Sequence, residues 1–185
     1  MPKIITIPDQ ELFIPPDKFF NIKGTTIKIE HSLVAIAKWE SKWHVPFLDD
    51  KVEKTNDMML DYIRCMTITQ NVDPDIYKHI PDDILQEINE YIDNPMTATW
   101  FNDKNNKKAG KGEVVTSELV YYWMITQQIP PEYDKWHFNR LMTLIRVCSE
   151  KNSQAQNGNK MSKRNILNQN RALNAARRKA NGSKG

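Results

Sequence analysis

The side chains best equipped for chemistry are four histidines, His31, His44, His79 and His137, and two cysteines, Cys65 and Cys148. A structural zinc site needs Cys and His paired at short spacings, and a zinc hydrolase needs two histidines one helical turn apart. None of the six residues is so placed: there is no C-x-x-C, no H-E-x-x-H and no C-x-x-C-H. The reading is therefore no metal and no cofactor, with the histidines as surface or half-buried imidazoles. Two cysteines cannot build a disulfide framework. Each lies in an apolar helical pattern and reads as a buried free thiol.

Carboxylates cluster at Asp49-Asp50, Asp73/Asp75 and Asp82-Asp83. Each cluster falls in a loop or at a helix start, where negative charge meets the positive end of the helix dipole. Capping explains them better than an acid–base pair. G-x-S-x-G, the P-loop and G-x-G-x-x-G are all missing, so no residue is assigned a catalytic role.

Aromatic residues point to binding instead. Trp39 and Trp43 are four apart and share a helix face. Tryptophan dominates both cores and interface hot spots; core is the favoured reading, while Trp43-His44-Val45-Pro46-Phe47 is the segment best suited to a partner surface, with Trp39, Trp43 and Phe47 as the candidate contacts. The second candidate is the C-terminal end. As a helix over 163–180, capped by Ser162 and stopped by Gly182, it places Leu167, Leu173 and Ala176 on a thin apolar stripe. Arg171, Arg177, Arg178 and Lys179 supply charge around it. Such a segment can neutralise phosphates, dock an acidic partner helix or fray in solvent, and the three readings stay open.

The elements that would position these residues follow from periodicity. Lys3–Ile7, Glu11–Ile14, Lys18–Ile22 and Thr25–Glu30 are short, rich in Ile, Phe and Thr, and punctuated by Pro15-Pro16-Asp17 and Lys23-Gly24. They predict a small antiparallel element. Helical patterns follow, capped at Ser32, Thr55, Asp73 and Thr116 or Ser117, with a further helix opened by Pro81. The helix after Thr116 reads as buried on most sides. A sixth helix is expected over 132–149. The fold class is α+β, mostly α.

Composition agrees with this layout. The chain has 185 residues, 39% of them apolar and 26% charged, with five Trp, six Phe and six Tyr. That supports a core and excludes collagen, a coiled-coil rod and full disorder. No apolar run approaches the ~20 residues of a membrane span, and Met1–Ile5 does not read as a signal peptide. The net charge of +3 is divided unevenly. Residues 1–150 carry 17 basic and 23 acidic side chains, net −6, whereas 151–185 carry nine basic and none acidic. The expected organisation is a β element over 1–30, a helical body over 31–150, a polar linker over 151–160 and a basic tail over 161–185. Asn102–Gly112, with four Lys, three Asn and two Gly, reads as an exposed loop.

Several strings resemble a family of small morphogenesis proteins of tailed bacteriophages. They are HSLVAIAKWESKWHVPFL (31–48), DYIRCMT (61–67), PMTAT (95–99), TSELVYYWMI (116–125), KWHFNRLMTLI (135–145) and LNAARR (173–178). Together they span nearly the whole chain. The family is similar to the phage tail assembly chaperones, which bind the tape-measure protein while the tail tube forms. The resemblance implies a non-enzymatic protein of the host cytoplasm whose partner is a tail protein. It also leaves open a minor virion or head–tail component, and the tail keeps nucleic-acid binding open.

Overall fold

The computed structural model describes residues 2–14, 18–99, 101 and 113–155. The chain divides into two compact units, 1–145 and 146–185. The fold is α+β and mostly α, as the periodicities predict.

The first unit opens with four strands, β1 (Lys3–Ile7), β2 (Gln10–Ile14), β3 (Lys18–Ile22) and β4 (Thr25–Ile29). β1 pairs antiparallel with β4, from Lys3–Ile29 to Ile7–Thr25, and β2 with β3, from Gln10–Ile22 to Ile14–Lys18. The two ladders keep one register, so they form a single folded ribbon interrupted once, where Pro8 lies opposite Gly24. Proline has no N–H to give the ladder. The backbones close up there. A Cβ on Gly24 would stand 2.5 Å from the Ile7 carbonyl oxygen and 2.6 Å from the Asp9 nitrogen, so only glycine fits. Asp9 Oδ1 accepts the Gly24 N–H at 2.6 Å.

Ile5, Ile7, Ile27 and Ile29 alternate onto one buried face, the period-two pattern of a half-buried ribbon. Residues 66–69 cover part of the outer edge of β4. Glu30 N–H donates to Met66 O, Ile68 N–H to Lys28 O, both at 2.8 Å, and Lys28 N–H to Thr69 Oγ1 at 2.7 Å.

Helix α1 (Leu33–Trp43) begins where Ser32 accepts from Ala35 N–H, and α2 (Asn56–Met66) where Thr55 accepts from Met58 N–H. α1 packs on α2, and Leu33, Ile36 and Trp39 of α1 and Tyr62, Ile63 and Met66 of α2 are all buried. Asp73 caps the next segment, but Pro74–His79 winds as a 3-10 helix. α3 (Asp82–Asp93) follows Pro81 and packs on β1. α4 (Ser117–Thr126) starts at the Thr116 cap and packs on α1.

Two expectations need correction. The sixth helix does not begin at 132. Pro131–Lys135 is a 3-10 helix, Trp136 is extended, and α5 starts at 138 and reaches the end of the unit at 145. The break lets the chain pair with the start of α1, through the Ser32–His137 bridge and Phe138 N–H donating to His31 O at 2.8 Å. Nor is α4 covered on most sides: Tyr122 is 59% and Ile125 74% exposed.

Of the second unit, residues 146–155 are described and are helical throughout. The first five residues of the stretch expected to be a linker are therefore helix. The remainder of that stretch, the basic tail and the expected loop at 102–112 lie outside the described residues.

Candidate functional site

Two polar constellations sit inside the first unit. The first joins four elements. His31, between β4 and α1, meets the Tyr62 hydroxyl of α2 through Nδ1 at 2.6 Å, and its backbone N–H donates to the Tyr91 hydroxyl of α3 at 3.3 Å. His137, just before α5, donates from Nε2 to the Tyr91 carbonyl at 2.9 Å. The two imidazoles stand edge to face, 5.0 Å apart. A carbonyl only accepts, so Nε2 of His137 carries its proton and Nδ1 is a bare lone pair in the neutral ring; it is buried with no partner. Burial pushes the His31 imidazole down to about 3, with His137 adding repulsion, and burial lowers His137 as well. Tyr62, completely buried, is held well above the ordinary phenol range, chiefly by burial. These groups are neutral, bonded and closed to solvent, which is the chemistry of a polar core tie. His31 and His137 are thus buried, not surface or half-buried as expected; His44 is exposed and His79 half-buried.

The second constellation is Glu40, buried near the end of α1. Its two carboxylate oxygens accept the backbone N–H groups of Phe47 and Ser117, each at 2.8 Å. One side chain therefore fixes the loop after α1 and the first turn of α4, whose dipole favours the negative charge.

The aromatic candidates separate. Trp39 is completely buried, and its indole N–H donates to Met58 O at 2.8 Å. It is a core residue and offers a partner nothing, which corrects the expectation. Phe47 packs between neighbours, its ring 4.0 Å from that of Tyr62 and 5.1 Å from that of Trp39, with Lys54 Nζ 5.5 Å from its centre. Little of it remains free. Trp43 is half-buried; its indole N–H donates to Asp61 Oδ2 at 2.9 Å and Lys42 lies over its ring. Of the three, Trp43 is the one placed to meet a partner. Leu167, Arg171, Leu173, Arg177, Arg178 and Lys179 lie outside the described residues.

Several hollows mark the surface of this unit among the described residues. The largest, about 850 Å³, lies between the ribbon break and the segment 69–79. Lys23, Asn71 and His79 face it, and its carboxylates are already engaged, Asp73 on the Asp75 N–H and Asp75 on Lys78. Two smaller grooves, about 300 and 370 Å³, adjoin between α1, α2 and residues 74–78. Among the described residues no group of three or more His, Cys, Asp and Glu side chains is arranged around a metal position, and no helix is long and apolar enough to cross a membrane. Cys65 and Cys148 are free and half-buried, less enclosed than expected. Burial raises the Cys65 thiol above its ordinary range, which lowers its thiolate fraction at neutral pH.

No protein-family model matches the chain, nor does any curated protein or solved structure.

Proposed function

We propose that the protein is a non-enzymatic assembly chaperone of a phage tail, acting in the host cytoplasm on the tape-measure or another tail protein. The observation that carries this reading is the outward face of α4. Tyr122 and Ile125 lie three residues apart, 59% and 74% exposed, on a helix that is apolar nearly all round. A helix of that composition is ordinarily enclosed. One left open on a folded body is suited to covering the apolar face of another helix until that helix finds its assembled place. The resemblance of residues 31–48, 116–125 and 135–145, among other strings, to tail-assembly proteins supplies the biological setting. The charge division, net −6 over residues 1–150 and nine basic residues over 151–185, supplies a means of attracting partners of either sign.

The test is co-expression of the full chain with the tape-measure protein encoded in the same phage genome, followed by affinity capture. Capture is expected. Replacing Tyr122 and Ile125 with Ser should weaken it without lowering the thermal midpoint, because both side chains are already in water. If the intact chain captures no tail protein yet binds duplex DNA in a strongly salt-dependent way, the nucleic-acid reading of the tail replaces this one.

A further inference from the structure

The two adjoining grooves between α1 and α2 share Lys42, Asp61 and Arg64, so they form one channel over the helix pair. Four cations line it, Lys38, Lys42, Arg64 and Lys78, against two carboxylates, Asp57 and Asp61. Residues 1–150 are acidic overall, at net −6, so a surplus of cations in one groove stands out. Two of the cations are occupied, Lys42 by Asp61 and Lys78 by Asp75. Lys38 and Arg64 are exposed and have no ion pair among the described residues. Asp61 is spent: one oxygen takes Lys42 and the other the Trp43 indole N–H. Half-buried Trp43 and Leu60 give the channel an apolar side.

We infer that this channel is a docking site for an acidic, amphipathic segment of a protein partner, with apolar side chains on Trp43 and Leu60 and carboxylates on Lys38 and Arg64. Charge complementarity selects an anionic occupant. The rim selects protein over nucleic acid, because exposed Asp57 and Asp75 interrupt the positive track that a continuous phosphate chain requires. Separate carboxylates on a helix pass between them. The inference rests on the chaperone reading only in taking the partner to be a protein.

The probe is a fluorescein-labelled helical peptide of Glu, Ala and Leu with Glu along one face, and its counterpart with Gln for Glu. Fluorescence anisotropy is measured on the full chain. The Glu peptide should bind more tightly than the Gln peptide, and the double variant Lys38→Glu/Arg64→Glu should weaken the Glu peptide about tenfold, more than one exposed ion pair provides. A fluorescence change at Trp43 should disappear with it. Both replaced residues are exposed, and a thermal melt checks the fold; if the double variant is unfolded, Lys38→Gln/Arg64→Gln takes its place. The inference is overturned if Glu-peptide affinity is unchanged in the groove variant. It is also overturned if affinity falls only when Arg177, Arg178 and Lys179 are replaced with Gln, or if duplex DNA loses as much affinity as the peptide. Peptide binding in the groove without capture of any tail protein would sink the chaperone reading and leave the groove standing.

Discussion

Glu40 on α1 accepts the backbone N–H of Ser117 at 2.8 Å, across seventy-seven residues of sequence. Its other oxygen holds Phe47 N–H. Both donors would otherwise be backbone groups without partners, Ser117 being 1% exposed, and an unpaired buried N–H is expensive. A glutamine here offers one acceptor oxygen and turns an NH2 toward the second donor. Glu40→Gln should therefore destabilise the protein by about 2 kcal/mol. Urea unfolding followed by tryptophan fluorescence measures this. A variant within error of the wild type would mean that water, not Glu40, satisfies these groups.

The tryptophan pair gives a sharper contrast. Trp39 fills the core between α1 and α2, whereas Trp43, one turn later, is half-buried at the channel. Trp39→Ala should cost about 3–5 kcal/mol. Trp43→Ala, which loses a partly exposed ring, should cost about 1 kcal/mol. Thermal unfolding ranks them, and a reversed order would mean that Trp43 carries the packing.

How far the sequence could be read follows from the range of each interaction. Caps are local, so Ser32, Thr55 and Asp73 were legible from residues within one turn, and each accepts the expected bond; of the two candidates Thr116 and Ser117, Thr116 is the cap. The ribbon strands were legible because alternation is local too. The start of α5 was not. Pro130-Pro131 marks a helix start, yet what stops the chain at Trp136 is pairing with His31 and Ser32, more than a hundred residues earlier. In the same way, a four-residue spacing says that Trp39 and Trp43 are neighbours, but α2 decides which one it covers. Glu40 did leave a signal. It falls on the stripe of Leu33 and Ile36, and a charge on an apolar stripe points to a buried partner.

Gly24 makes a prediction about the ribbon. Its missing Cβ leaves room for the Ile7 carbonyl and the Asp9 nitrogen. These are backbone atoms opposite a proline and cannot swing aside as a side chain would. Gly24→Ala should then destabilise by about 2 kcal/mol, within the usual range for overpacking. It should also release the Asp9 cap, seen as faster amide hydrogen exchange at residue 24 and its neighbours. Unchanged exchange and stability would show that the ribbon relaxes around the methyl group.

The histidine tie makes the protein sensitive to acid, and the sign follows from where the proton binds. Folded His31 titrates at about 3, lowered first by burial and then by His137; unfolded, it titrates near ~6.5. Between those values the unfolded chain holds a proton that the folded chain refuses, so stability falls as pH drops through this window and is level above it. The groups around the ring offer no rescue. Tyr62 and Tyr91 are neutral phenols, both raised by burial, and His137 is itself lowered. Glu30, raised by burial, acts in the opposite sense: its proton stabilises the fold in acid and is lost as pH rises through its folded value, so it blunts the lower end of the window. The expected slope is about 1.4 kcal/mol per pH unit from His31, with His137 adding to it. Urea midpoints measured from pH 7 down to pH 4 should decline steadily below ~6.5. His31→Gln should be less stable at pH 7, through loss of packing and of the Tyr62 bond, yet should lose stability less steeply in acid. A wild-type curve that stays flat to pH 4, or a variant curve as steep as the wild type, would show that His31 takes its proton inside the folded protein.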